Sequence, residues 1–178
     1  VGVSYVPFER PGPLADAAVE GVWDIGLIAV EPARAEHIEF TEPYVEIEAT
    51  YLVSGHSDIQ TIAEVDQPGV RIAIAARSAY DLYLSRNLQH AELVRAEGID
   101  GSFDLFVSEG LDVLAGLRPR LLTDVAQIEN ARILDGRFTA VQQAVGTPSD
   151  RKESAAYLRD FVVEAKASGL VAELIARH

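Results

Sequence analysis

The chain has 178 residues, of which 15 are basic and 28 acidic, and its formal net charge is -13. This charge repels phosphate backbones and anionic lipid surfaces, so it argues against nucleic-acid binding. Hydrophobic residues make up 48% of the chain, enough to bury a core, and no apolar run approaches the roughly 20 residues that span a bilayer. Cysteine is absent, which excludes disulfides, thiolate metal sites and cysteine nucleophiles.

The N-terminal third is predicted to begin a series of strands and helices. The chain opens without methionine on the strand-like stretch VGVSYVPF. We therefore expect a mature or trimmed product, with a signal peptide removed and the natural start upstream. The hydrophobic pattern predicts a strand over residues 1–6, a helix over residues 14–22 and a second strand over residues 24–30.

The rest of the chain alternates short Val-, Ile- and Ala-rich runs with segments of helical period, which is typical of α/β proteins with mainly parallel strands. An extended stretch follows Pro43, and TIAEV is predicted as a short helix. Strands are predicted at VRIAIAA, AELVRAE and LDVLAG, each followed by a helix. FTAVQQAVGTPSD is predicted to be extended, and a long helix and a short helix separated by Gly169 end the chain. The apolar stripe predicted for the long helix comprises Ala155, Leu158, Phe161, Val162 and Ala165.

Arg34 lies where the second predicted strand gives way to a short helix predicted to begin at Pro32. Unpaired N–H groups and the helix dipole favour an anion at such a point. An arginine there can hold a carboxylate through two parallel hydrogen bonds. Alternatively, Arg34 pairs with neighbouring glutamates at the surface, and the spacing alone leaves both interpretations open.

A second junction of this kind follows the strand VRIAIAA, where Arg77 and Ser78 precede a helix. Ser78 and Asp81 have the spacing of a capping box. Ligands of open α/β sheets bind outside the carboxyl ends of strands, so this junction and Arg34, on facing lobes, would line one cleft. Arg77 can instead be a solvated loop charge and Ser78 a plain cap. Tyr80, in the first helical turn, is a further candidate for the cleft.

The sequence predicts no reaction centre. The four histidines lack metal-ligand spacing, and no P-loop, G-x-S-x-G, H-E-x-x-H or dinucleotide-binding motif is present. We therefore predict no cofactor and no metal. Trp23 is expected to pack between helix and sheet.

With these residues in place, the chain resembles the extracytoplasmic solute-binding proteins of ABC importers, family 3, over nearly its full length. The most specific stretch is WDIGLIAVEPARAEHIEFTEPYVEIEATYLV; PGVRIAIAARSAYDLYL, LDVLAGLRPRLL and QAVGTPSD resemble later landmarks. The resemblance implies the α/β periplasmic-binding-protein type II fold, with a mixed, mostly parallel sheet in each of two lobes and two crossing hinge strands. It places lobe 1 at residues 1–49 plus 144–178 and lobe 2 at residues 50–143.

The same resemblance implies a function. The chain would be a periplasmic or otherwise extracytoplasmic monomer that binds a small carboxylate-bearing solute, an amino acid or organic acid, between its lobes. It would then deliver that solute to the permease subunits of an ABC transporter. The Arg34 side chain, backbone near Ala29 and the Ser78 position are the contacts implied by the family. The full set of ligand-binding candidates is Arg34, Ala29, Arg77, Ser78, Tyr80 and Arg118.

Three departures from the family pattern affect these expectations. The strand and helix with which family members usually begin do not precede VGVSYVPF. The acid that usually follows the strand equivalent to LDVLAG is replaced by Leu117 and Arg118. The serine or threonine cluster before Arg34 is replaced by GLIAV. With Arg34, Arg77 and Arg118 and no obvious acid, an anionic solute is at least as well supported as a neutral amino acid.

Two other functions stay open on the same scaffold. One is a dehydratase-like enzyme, for which Glu31 or Tyr80 would be the acid or base. The other is the effector-sensing domain of a regulator.

Overall fold

The computed structural model describes residues 2–177. Its strands are β1 (Gly26–Ala29), β2 (Ile38–Phe40), β3 (Val45–Val53), β4 (Arg71–Ala75), β5 (Glu92–Ala96), β6 (Val113–Leu117), β7 (Arg132–Ile133) and β8 (Thr139–Pro148). Its α-helices are α1 (Pro11–Asp16), α2 (Ala79–Asn87), α3 (Gly98–Ser108), α4 (Arg118–Asp124), α5 (Lys152–Ala167) and α6 (Leu170–Arg177). Short 3-10 helices cover Ile62–Glu64 and Val125–Gln127. Within residues 2–177, none of the helices combines the length and apolar character needed to cross a membrane.

The chain forms two compact units. The first comprises Val1–Glu46 and Gln142–His178, and the second comprises Ile47–Val141. Strands β3 and β8 run from one unit into the other.

In the first unit, β8 is the central strand. Both β1 and β2 pair with it in antiparallel fashion, and Gly146 of β8 faces Gly26 on one side and Phe40 on the other. A side chain at Gly146 has no room, because a Cβ atom there would lie 2.6 Å from Cγ2 of Ile38. The sheet therefore requires glycine at this position, beside the side chain of Ile38.

Trp23 forms one hydrophobic core cluster of the first unit with Ala17, Ala18 and Ile38. Its indole N–H donates to the carbonyl oxygen of Leu14 at 2.9 Å, which satisfies the polar atom of an otherwise apolar side chain. The predicted core position of Trp23 is therefore confirmed.

The second unit has a mixed sheet in the order β3, β6, β4 and β5. β6 is antiparallel to β3, whereas β4 is parallel to both β6 and β5. β4 and β6 are buried along nearly their whole length, as expected for strands covered on both faces. Since β4, β5 and β6 run in one direction, their carboxyl ends meet at one edge of the sheet.

Most predicted elements are confirmed, including the short helix at TIAEV, which forms as the 3-10 helix with Thr61 and Glu64 as a capping box. Three predictions outside the turn between β1 and β2 were wrong. Residues 2–6 of the predicted strand 1–6 are exposed and belong to no strand, and Val1 lies outside the described residues. The helix predicted over residues 14–22 is α1, which begins earlier because Pro11 presets the backbone of its first turn, and which ends at Asp16, where turns take over. Phe161 does not belong to the buried stripe of α5, since it is 49% exposed.

Candidate functional site

Arg34 lies in two consecutive turns between β1 and β2. The backbone N–H groups of Arg34 and Ala35 donate to the carbonyl oxygen of Glu31, and those of His37 and Ile38 donate to the carbonyl oxygen of Arg34. β2 begins at Ile38, so only these two turns fit, and the short helix predicted to begin at Pro32 does not form. The dipole of a helix therefore contributes nothing to anion binding at this point.

The guanidinium of Arg34 is nevertheless held at the carboxyl end of β1. Its Nη1 donates to the carbonyl oxygen of Ala29, the last residue of β1, at 2.9 Å. Arg34 is only 6% exposed and Glu31 only 7%. This burial excludes a solvated surface position for Arg34. Arg34 is instead a fixed, buried cation whose orientation is set by the strand it follows.

In the second unit, Ser78 caps the start of α2. Its Oγ accepts a hydrogen bond from the N–H of Asp81 at 3.0 Å, as the capping spacing predicted. Oδ2 of Asp81 accepts a hydrogen bond from the backbone N–H of Arg77 at 2.7 Å. Arg77 itself has a φ of +60°, a left-handed conformation that is unusual for a residue other than glycine.

Asp81 ties this helix start to the neighbouring strand. It is 3% exposed, and its Oδ1 lies 2.9 Å from Nε of Arg95 on β5. Ser85 lies one turn further along α2 and donates to the same Oδ1 at 3.3 Å. The carboxylate thus connects the β4 end, α2 and β5, which makes the backbone at Ser78 rigid.

Tyr80 is buried in the first turn of α2 at 4% exposure. Burial raises the pKa of its hydroxyl to about 12, although a hydrogen bond with Ser78 opposes that rise. The hydroxyl is therefore neutral near pH 7 and can donate a hydrogen bond, but it is a poor general base. Sequence reasoning placed Tyr80 beside Ser78 correctly but had no signal for its burial.

Arg118 follows β6 and has two partners within its unit. Its Nε lies 2.7 Å from Oε2 of Glu48, and its Nη2 donates to the carbonyl oxygen of Gly136 at 2.5 Å. Oε1 of Glu48 lies 3.9 Å from Nη1 of Arg137. An acid therefore does stand beside Arg118, although the sequence analysis found none. Glu48 is placed there by the pairing of Ala49 with Leu117, a long-range register that no local motif reveals.

The structure assembles the candidates into two groups. Arg34 and Ala29 meet at the end of β1 in the first unit. In the second unit, the parallel register of Ile72 with Val113 brings the ends of β4 and β6, and so Ser78 and Arg118, to one edge of the sheet. The ligand contacts assigned to these residues stay predictions. Among residues 2–177, no group of three or more His, Asp or Glu side chains is placed to hold a metal ion.

No protein-family model and no curated protein sequence matches the chain. Solved structures do. An ancestral arginine-binding protein bound to arginine has a TM-score of 0.82 at 16% identity, over 99% of this chain and 80% of that one. A binding component of an ABC transporter from Wolinella succinogenes, in complex with lysine, has a TM-score of 0.81 at 18% identity, over 99% of this chain and 78% of that one. The chain has the periplasmic-binding-protein fold.

This finding confirms the α/β periplasmic-binding-protein fold class predicted from the sequence. The mostly parallel sheet predicted for the first lobe is not what the first unit shows, because β1 and β2 both pair with β8 in antiparallel fashion. A third similar structure is an ancestral amino-acid-binding protein described as a precursor of cyclohexadienyl dehydratase, with a TM-score of 0.80 at 21% identity over 99% of this chain and 78% of that one. Identities this low show the fold alone, and the function has to be argued from the site.

Proposed function

We propose that this chain binds a small carboxylate-bearing solute, an amino acid or an organic acid, outside the cytoplasm and delivers it to the permease subunits of an ABC transporter. The observation that carries the proposal is the buried guanidinium of Arg34, fixed by the carbonyl oxygen of Ala29 at the carboxyl end of a strand. The similar structures bound to arginine and to lysine support it.

A carboxylate bound to Arg34 is stabilised more strongly than one bound to an arginine at the surface. Charge-assisted hydrogen bonds from a guanidinium strengthen when water is excluded, and Arg34 is only 6% exposed. The chain as a whole carries a net charge of -13 and repels anions elsewhere. Arg34 is therefore the position where a solute carboxylate is best recognised.

The edge of the second unit carries further groups that can bind a solute. Ser78 offers a hydroxyl and a helix start whose backbone is fixed by Asp81. Arg118 and Glu48 form a pair that presents both signs of charge. A solute with an ammonium group can therefore find an acceptor in Glu48, and a second carboxylate can find a donor in Arg118. This pair supports amino acids and organic acids equally.

The test is calorimetric titration, preceded by a thermal-shift screen with lysine, arginine, glutamate, glutamine and small dicarboxylates. We expect at least one solute to raise the melting temperature. Arg34→Gln should weaken its binding by roughly 10- to 100-fold, since a hydrogen bond to a charged group contributes roughly 1.5–3 kcal/mol. Arg159→Gln is the matched control, because Arg159 is half exposed and pairs with Glu39 at the surface.

The proposal fails if no solute of either class binds, or if Arg34→Gln binds as tightly as the wild type. Turnover is the competing outcome, because one similar structure is a precursor of a dehydratase. Mass spectrometry of the bound solute separates the two functions. A solute recovered unchanged supports binding, whereas a dehydrated product would support an enzyme.

A further inference from the structure

The pair of Glu48 and Arg118 in the second unit has a third member. Nε of Arg118 lies 2.7 Å from Oε2 of Glu48, and Nη1 of Arg137 lies 3.9 Å from Oε1 of the same carboxylate. Both oxygens of Glu48 therefore face an arginine. The pair alone admits either sign of charge, but Arg137 breaks that balance, because one carboxylate is now shared between two guanidiniums.

Arg118 is held through two of its nitrogens and keeps a third for other contacts. Its Nε donates to Glu48, and its Nη2 donates to the carbonyl oxygen of Gly136 at 2.5 Å. Gly136 has a φ of +77°, which glycine adopts without strain, so this carbonyl belongs to a defined turn. Nη1 of Arg118 makes no hydrogen bond with residues 2–177, and the side chain is 29% exposed. It is therefore an oriented donor that a solute can reach.

Glu48 and Arg118 are thus not equally available to a solute. An ammonium that approaches Glu48 meets two guanidiniums already facing the carboxylate, and both repel it. A carboxylate that approaches Nη1 of Arg118 breaks neither existing bond, and the guanidinium loses little freedom because it is already fixed. Glu48 also repels such a carboxylate, but Arg137 on its other oxygen offsets that repulsion. The arrangement favours an anion.

We propose that Arg118 binds an anionic group of the solute, and that Glu48 orients Arg118 instead of binding an ammonium. This inference rests on the proposed function and narrows its solute class. The solute carries two anionic groups, one for Arg34 and one for Arg118, as a dicarboxylate does. Arg118 then determines specificity, and Glu48 is a positioning residue.

Calorimetric titration of the full chain with two isosteric series tests the proposal. Succinate, butyrate and β-alanine carry a carboxylate, a methyl and an ammonium, respectively, opposite their shared carboxylate. Glutarate, pentanoate and γ-aminobutyrate repeat the comparison in a longer chain. We expect the dicarboxylate of at least one series to bind roughly 10- to 100-fold more tightly than its two analogues, the range expected for one charge-assisted hydrogen bond.

Two variants separate the roles of Arg118 and Glu48. Arg118→Gln should remove most of the preference for the dicarboxylate and leave the affinity for the monocarboxylate unchanged. Glu48→Gln keeps an oxygen that can accept from Nε of Arg118, so the preference should persist and binding of the amino compounds should not weaken. Arg71→Gln is the matched control, because Arg71 also donates to a glycine carbonyl, that of Gly110, but begins β4 at the opposite edge of the sheet.

Equal affinities within each series overturn this inference and leave the proposed function in place. Tighter binding of β-alanine or γ-aminobutyrate that is lost in Glu48→Gln also overturns it, since Glu48 is then the acceptor for an ammonium. A dicarboxylate preference that survives Arg118→Gln, or that Arg71→Gln reduces equally, overturns the role of Arg118. If Arg118→Gln does not fold, Glu48→Gln still decides between the two roles of Glu48.

Binding of none of these solutes overturns the inference as well. The proposed function is then judged separately, by the amino-acid screen and by Arg34→Gln.

Discussion

The turn after β1 and the helix start after β4 both place an arginine beyond the carboxyl end of a strand. The part of the arginine that is fixed differs between the two. For Arg34 the side chain is fixed, because Nη1 donates to the carbonyl oxygen of Ala29. For Arg77 the backbone is fixed, because its N–H donates to Asp81 and its φ is +60°. The first junction therefore positions a charge, and the second positions a peptide and the cap that follows it.

This difference assigns separate tasks to the two junctions. A guanidinium that is buried and oriented can recognise a carboxylate directly. A helix start fixed by a buried carboxylate can present Ser78 and backbone N–H groups with little loss of conformational freedom. The two arginines are alike in sequence context but differ in the part that is fixed. A substitution that removes the contacts of one junction should therefore leave the other junction intact.

The largest expected effect comes from Asp81→Ala. Asp81 is 3% exposed and accepts hydrogen bonds from the Arg77 backbone and the Arg95 side chain. Its removal leaves buried donors without acceptors, and we expect a loss of about 3 kcal/mol in the free energy of unfolding. Urea denaturation measures the change. Asp112→Ala is a milder comparison, because Asp112 accepts one hydrogen bond, from the backbone N–H of Arg71. Equal losses for the two substitutions would contradict the special role of Asp81.

The next effect should come from Arg34→Met, measured without solute. Methionine keeps the apolar stem but cannot donate to the carbonyl oxygen of Ala29, so we expect a loss of about 2 kcal/mol. Thermal denaturation of Arg159→Met provides the control, because its surface pair with Glu39 should contribute within about 0.5 kcal/mol. A stability equal to the wild type would mean that the Arg34 side chain is not held by the strand end.

The sequence predicted the strand-end positions of both arginines but not how either is held. Alternating apolar runs are local signals, so β1, β4 and β6 could be located from their own residues. The short helix predicted at Pro32 does not form because β2 begins at Ile38 and leaves room for turns alone. Glu48 lies beside Arg118 because Ala49 pairs with Leu117. Both depend on contacts between distant residues. The strand-like character of residues 1–6 was also a local signal, but a strand needs a neighbour, and none pairs with residues 2–7 in the structure.

A smaller effect is expected from Ser78→Ala, which removes the cap of α2. The hydroxyl accepts the N–H of Asp81 at 3.0 Å, and loss of such a cap costs about 1 kcal/mol. Ser78→Thr keeps an acceptor and should recover most of that loss in the same denaturation experiment. If the alanine variant is as stable as the wild type, the network of Asp81 alone fixes the helix start, and the cap is redundant.

The smallest effect should be a gain, from Arg77→Gly. A residue other than glycine loses roughly 1–2 kcal/mol in the left-handed conformation, whereas glycine adds roughly 0.5–1 kcal/mol of backbone entropy to the unfolded chain. The difference between the strain relieved and the entropy added predicts that Arg77→Gly raises the free energy of unfolding by about 0.5 kcal/mol. Any stabilising contact of the Arg77 side chain reduces this gain. Asn130→Gly is the matched comparison at a φ of +57°. Asparagine tolerates this conformation better than arginine, so its replacement should gain less. A larger gain at position 130 than at position 77 would show that the Arg77 side chain stabilises the junction, and that this arginine, like Arg34, is held by its guanidinium.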